Sequence, residues 1–419
     1  MSALPANPFV VTPRARPSAV VRLGVPFGAL LVALGLGMVV LLAFGDDPIE
    51  AYRTMFESSL QGWRPFTRTL TYATPLVLTG LAAAIAFRMK VYNIGAEGQL
   101  FVGAIAASGI ALALPQDLPR VLMISAVILG GAVAGAIWAQ LAAIPKALFG
   151  TDEIITTLML NFIALGLMNY LIQGSRSFWR NPTHPVPQGK EIPNSAQLPI
   201  VYERLHAGFL IAVAVAVAVW LLVRLTPWGF RLKVIGDSRR AARYAGISVG
   251  AMTIGVMAVS GAIAGMAGAI EVSAVTKGLE PKALAIELGY TGIIIAAVAR
   301  LNALGVVPVA VLLAAITVSG SSLQAIGVAS DLVVLLQGLI FLSVTAGEFF
   351  VTNRVRLASS RRASQPLREP DRPSEPDQPL RELGAASPAD ETPVATSASA
   401  LPPAGDALAL GSPNMRSAR

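Results

Sequence analysis

The chain has 419 residues, 54% hydrophobic and 13% charged, with a formal net charge of +8. Apolar runs near the ~20 residues that cross a bilayer exclude a soluble core and predict an all-α polytopic membrane protein with about ten transmembrane helices. With no cysteine at all, disulfides, a thiolate nucleophile and a Cys-ligated metal site are excluded.

In chain order, residues 1–23 are expected to be a cytoplasmic N-terminal segment, because Arg14, Arg16 and Arg22 precede the first span and no comparable basic cluster follows it. The apolar run 24–44 is too long for a signal-peptide core, and no small-residue cleavage site precedes Asp46 and Asp47, so it reads as a retained span. Segment 45–68, with Asp46, Asp47, Glu50 and Glu57, falls outside. Further spans are expected near 69–88, 93–114, 120–147 and 154–173. The extracytoplasmic loop 174–207 follows; its prolines (182, 185, 187, 193 and 199) predict an extended, pinned loop rather than a domain. His184 and His206, the two histidines, both lie in it without metal-ligand spacing, so neither a metal nor a cofactor is indicated. Span 208–225 leads into the cytoplasmic loop 226–250, and spans 251–274, 287–300, 304–323 and 331–350 complete a transmembrane domain over 24–350.

This count returns the C-terminus to the cytoplasm. Arg88 and Lys90, Lys146, the basic residues from Arg224 to Arg243, and Arg300 all fall at predicted inner ends. Residues 351–419, with ten prolines and almost no aromatic side chains, predict a disordered cytoplasmic tail. Charge there is nearly balanced, so the basic surplus belongs to the membrane body and implies a lipid-embedded protein with no nucleic acid partner.

Polar residues inside the spans carry the functional signal. Asn93-Ile94-Gly95-Ala96-Glu97-Gly98-Gln99 stands at the cytoplasm-facing start of the third span. A carboxylate in a membrane is costly unless it faces protein or water. Glu97 therefore either lines a polar path or is structural, capping the helix or pairing with Arg88 or Lys90. Gly95 and Gly98 let backbone approach a ligand or another helix. In the fifth span Glu153, Thr157 and Asn161 recur on one face, behind a start at which Thr151 is expected to cap. Asn161 reads as the path residue and Glu153 as the structural one. In the seventh span Gly261, Gly265 and Gly268 predict close helix packing, and Glu271 is expected to face the exit or solvent.

In the loop 226–250, Asp237 or Ser238 is placed to cap a short helix containing Arg239, Arg240, Arg243 and Tyr244, which Gly246 ends. Such a helix is either a docking element for a soluble subunit or an unpartnered positive-inside loop. The strings Thr79–Arg88 and Thr291–Arg300 match weakly, but both are expected to run inward, and chance accounts for the match.

Three stretches, N-I-G-A-E-G-Q-L-F-V-G-A at 93–104, G-T-D-E-I-I-T-T-L-M-L-N-F-I-A at 150–164 and G-D-S-R-R-A-A-R-Y-A-G-I at 236–247, resemble permease subunits of bacterial nucleoside and simple-sugar ABC importers. That family is related to the ribose and branched-chain amino acid permeases. The resemblance covers about residues 20 to 350. It implies a multi-pass protein of the bacterial plasma (inner) membrane working with a cytoplasmic ABC ATPase, a second homologous permease and an extracytoplasmic substrate-binding lipoprotein. It further implies that Asn93, Glu97, Gln99, Thr157 and Asn161 lie near the substrate pathway. Asp237, Arg239, Arg240, Arg243, Tyr244 and Gly246 would belong to the ATPase-coupling element.

The residues are consistent with a passive subunit. No G-x-x-x-x-G-K-[ST] loop occurs, so the chain does not cradle ATP in the usual way and is not expected to be an enzyme. The rival class, an ion-coupled secondary transporter of a small polar solute, needs mid-span charges that are almost missing here.

Overall fold

A computed structural model describes residues 9–13, 18–174, 177–184 and 186–357. Among these, the architecture is a bundle of membrane-length helices. α1 (Ala19–Phe44) is followed by the amphipathic α2 (Pro48–Ser59), which Asp47 caps by accepting the Ile49 amide at 2.8 Å. Then come α3 (Trp63–Arg88), α4 (Ala96–Ala113), α5 (Arg120–Phe149), α6 (Glu153–Gln173) and α7 (Ala207–Leu225). Two short helices, α8 (Pro227–Asp237) and α9 (Arg239–Tyr244), precede α10 (Val249–Glu271), which continues as a π-turn through Thr276. α11 (Pro281–Leu284), α12 (Leu288–Val298), α13 (Ala303–Ala325) and α14 (Ser330–Thr352) complete the helices. Among the described residues nine stretches are long and apolar enough to cross a membrane, one of them joining α11 and α12, and α1 adds the apolar run Leu31–Phe44. By the excess of basic residues on the cytoplasmic side, the end carrying Arg88, Lys146 and Arg300 is the inner end.

Several boundaries differ from the sequence expectation. α3 begins at Trp63 instead of 69, since Arg64 and Arg68 sit in its first turns at the membrane edge. The eighth span, expected at 287–300, is α12, and the short α11 precedes it across a break at 285–287. The predicted tail starts too early, because α14 runs to Thr352 and β4 (Asn353–Leu357) then pairs antiparallel with β1 (Phe9–Pro13). The remainder of that tail, and Arg14 and Arg16, lie outside the described residues.

The tightest packing joins α4, α5 and α10 through glycine. A methyl on Gly265 would meet the Gly131 carbonyl oxygen at 2.2 Å, one on Gly103 would meet the Gly265 carbonyl oxygen at 2.2 Å, and one on Gly268 the Leu100 carbonyl oxygen at 2.0 Å. The small-residue spacing read in the seventh span thus packs backbone on backbone, as it does between helices in lipid. Its partners are glycines of two other spans, Gly131 and Gly135 on α5 and Gly103 on α4.

The outer loop is pinned along these helices. Trp179 donates its indole N–H to the Ile105 carbonyl at 3.0 Å, and the amides of Ile192 and Leu198 donate to the carbonyls of Lys277 and Ser273, both at 2.9 Å. The hairpin β2 (Ile200–Tyr202) and β3 (Leu205–His206) closes it against α3, where the Thr71 hydroxyl donates to the Arg204 carbonyl at 2.8 Å.

Candidate functional site

Helix α3 ends at Arg88, with Lys90 in a left-handed conformation (φ 53°) and the Val91 amide returning to the Ala86 carbonyl. From there to Gly95 the chain is not helical. It runs beside the start of α6: the Tyr92 amide points at Glu153 Oε1 (3.5 Å), the Ile94 amide at Thr157 Oγ1 (3.2 Å) and the Gly98 amide at Asn161 Oδ1 (2.8 Å). Asn161 is eight residues into α6, so at 1.5 Å per residue Glu97 lies about 12 Å along from its inner end. The heptapeptide stands at the inner-facing start of α4, as expected, but not at the membrane edge. The extended segment carries it to mid-depth.

There α4 meets α12. The Gly289 amide donates to the Glu97 carboxylate, and a methyl on Gly289 would fall 2.3 Å from the Glu97 backbone nitrogen. One carboxylate therefore serves the positive ends of two helices, in the first turn of α4 and over the start of α12, where unpaired amides and dipole both favour an anion. Among the described residues Glu97 makes no ion pair with Arg88 or Lys90; the Arg88 guanidinium donates to the Leu301 carbonyl instead (2.7 and 2.9 Å), and the Lys90 carbonyl accepts from Arg239 at 3.0 Å.

The neighbouring amides hold the same irregular backbone. Asn93 exchanges hydrogen bonds with Gln99 (both 3.0 Å), donates to Ser260 Oγ (2.8 Å) and accepts the Gly95 amide (2.9 Å); Ser260 in turn donates to the Ala82 carbonyl at 2.7 Å. Asn161 donates to the Ile94 carbonyl (2.9 Å) and the Tyr290 hydroxyl (3.1 Å). Asn93, Glu97, Gln99, Thr157 and Asn161 are thus brought together and buried, with most of their hydrogen-bonding capacity directed at backbone. Sequence reasoning missed Ser260, Gly289 and Tyr290. The one available cue was the spacing of Gly289 and Gly292, which repeats that of Gly95 and Gly98.

Other expectations resolve locally. Asp152, not Thr151, caps α6, accepting the Ile154 amide at 2.8 Å; Thr151 Oγ1 is buried without a partner. Glu153 pairs with Lys146 at 2.6 Å, joining α5 to α6. Glu271 is 7% exposed, so it does not face solvent. His206, just outside α7, accepts the Gly208 amide at 3.1 Å, and burial pushes it down to about 4, so it is neutral. Among the described residues no group of three His, Asp or Glu side chains is placed to hold a metal ion.

At the inner face, Thr226 caps α8 and Ser238 caps α9, accepting the Gly229 and Ala241 amides at 3.2 Å each. Asp237 closes α8, and Gly246 (φ 73°) terminates α9. α9 presents Arg240, Arg243 and Tyr244 outward, Tyr244 being 80% exposed with the Arg240 guanidinium 5.8 Å from its ring centre. Gly236 of α8 lies directly on the Arg88 carbonyl.

Comparison with known proteins gives a consistent set. The family described as "Branched-chain amino acid transport system / permease component" matches residues 66–345. The chain is 35% identical to the glucose ABC transporter permease of Haloferax volcanii over 365 residues, covering 84% of this chain and 94% of that one. It is 32% identical to a guanosine ABC transporter permease of Bacillus subtilis over 324 residues (77% and 92%). With a nucleoside ABC transporter permease of Lactococcus lactis the figures are 34% over 316 residues (73% and 85%).

Proposed function

The chain belongs to the branched-chain amino acid transport system permease family and is a permease subunit of an ABC transporter, and from that premise we propose that it moves a nucleoside inward across a bacterial plasma membrane. Its partners are a cytoplasmic ATPase docked on α9, a second permease of the same family and an extracytoplasmic binding lipoprotein. Asp237, Arg239, Arg240, Arg243, Tyr244 and Gly246 form the coupling element. Asn93, Glu97, Gln99, Thr157 and Asn161 border the solute path as its anchored wall, holding the ends of α4 and α12 in place.

One observation carries this reading. Arg239 of α9 grips the carbonyl of Lys90, near the start of the irregular segment whose far end is the Glu97 junction. A displacement of α9 by a docked ATPase is delivered through about six non-helical residues, held along α6 at Glu153 and Thr157, to the point where two helix ends meet, which is the kind of two-state element that alternating access requires.

The test is Arg243→Ala combined with Tyr244→Ala in cells that carry the whole transporter. Both side chains are exposed, so membrane insertion is expected at the wild-type level, while guanosine uptake falls by about tenfold or more through loss of interface anchors. Undiminished uptake removes the docking role. Uptake that survives ATP depletion but stops with a proton or sodium ionophore replaces the proposal by an ion-coupled carrier.

A further inference from the structure

A cavity of about 390 Å³ opens between α3, α12, α13 and α14, within the range of small-molecule sites. Its depth follows from Thr79, which donates to the Leu288 carbonyl at 3.0 Å and lies nine residues from the inner end of α3, about 13 Å. Tyr72, also in the wall, is a further seven residues outward. The cavity therefore reaches from mid-depth into the outer half of the membrane.

Its lining is unlike a lipid-facing groove. Glu287 heads α12 in a left-handed conformation (φ 61°) and lines the cavity; its backbone amide faces the Glu97 carboxylate and its carbonyl accepts the Thr291 amide at 3.0 Å, while its own carboxylate has no cation or hydrogen-bond donor on it among the described residues. Around it stand Tyr72, Thr291, Thr317 and Gln337, and the Gln337 amide donates to the Thr317 hydroxyl at 2.7 Å, which leaves its carbonyl oxygen and second N–H free in a set orientation. Leu288, Val334 and Phe341 supply the apolar remainder, and neither Lys nor Arg lines the space. A lone carboxylate at this depth is tolerated only beside water or a polar ligand.

We propose that this cavity is a solute site on the transport route, in which Glu287 accepts hydrogen bonds from two adjacent hydroxyls of a neutral, polyhydroxylated solute whose flat, apolar part packs on Phe341. That chemistry is a nucleoside's. A carboxylate without a cation beside it repels phosphate, so the site excludes nucleotides. The Gln337 amide, oriented by Thr317, reads the polar edge of the base. The inference rests on the nucleoside-permease reading and concerns side chains on the cavity side of the Glu97 junction, to which Glu287 is tied by its backbone amide.

The chain has no cysteine, so one introduced cysteine is a unique reporter. In cells carrying the whole transporter, Val334→Cys, on the cavity wall and without a polar role in the site, is expected to react with a small charged methanethiosulfonate, whereas Leu342→Cys, on the outward face of α14, does not. Millimolar guanosine slows the reaction by at least about threefold, as an occupied site must. Guanosine monophosphate does not, and adding Glu287→Gln removes the protection. Should Val334→Cys not reach the membrane, Thr291→Cys reports on the same space. Labelling that guanosine leaves unchanged, or that the monophosphate slows equally, overturns the site. Protection by glucose but not guanosine overturns the nucleoside chemistry. Tritiated guanosine uptake measured alongside separates the two levels: uptake without protection sinks the site alone, whereas neither uptake nor protection sinks the nucleoside reading with it.

Discussion

The α4–α5–α10 packing and the junction where α4 meets α12 share a helix but are held by opposite means. In the first, regular helices touch through backbone at Gly103, Gly131, Gly135, Gly265 and Gly268, with dispersion and close fit as the cohesive forces. In the second, the backbone is irregular and its unpaired amides and carbonyls are met one by one by side chains, Glu97 on Gly289 and Asn161 on Gly98 and Ile94. Irregular backbone at membrane depth survives only where protein satisfies it. The glycine-packed layer is thereby suited to move as a body, and the junction to be the place where another body swings against it.

Substitution in the packed layer breaks that contrast most severely. Gly268→Val puts a side chain where a Cβ alone already lies 2.0 Å from the Leu100 carbonyl oxygen, so the helices must separate at a cost of more than about 3 kcal/mol. The expected result is aggregated or poorly inserted protein by size-exclusion chromatography in detergent; a monodisperse, wild-type profile shows that the layer yields.

A smaller effect comes at the junction. Glu97→Gln turns an acceptor into a group whose N–H₂ faces amide donors, and a loss of about 2 kcal/mol is expected, read as a lowered melting temperature by tryptophan fluorescence. An unchanged melting temperature with reduced uptake instead makes Glu97 a path residue without a structural part. Smallest is Thr79→Val. It deletes the link to the Leu288 carbonyl, yet the same hydroxyl also bonds the Pro75 carbonyl of its own helix at 2.9 Å, so about 1 kcal/mol or less is expected. A loss as large as that for Glu97→Gln shows that α12 hangs mainly from α3.

The two regions also differ in how far residue order reveals them. Small residues at three- and four-residue intervals mark a packing face wherever its partner is, so Gly261, Gly265 and Gly268 were recognisable although the facing glycines of α4 and α5 were not. Asn93, Glu97 and Asn161 stood out because polar side chains are rare in spans, and they converge. Their partners were hidden because most of those are backbone atoms. Likewise the weakly matching strings at 79–88 and 291–300 turn out to lie side by side, Gly292 against Thr79 and Arg88 on the Leu301 carbonyl, a proximity no pairwise match states.

Residue order alone determined the membrane class, the span pattern and its charge asymmetry, and the capped α9 helix ended by Gly246, because each depends on length, hydropathy or contacts within a few residues. Tertiary structure decided the depth of Glu97, its use at the start of α12 and the cavity at Glu287. A non-helical stretch of seven residues shifts everything after it by a distance hydropathy does not report, and the Gly289 amide that Glu97 receives lies 192 positions away on a residue with no side chain to announce it.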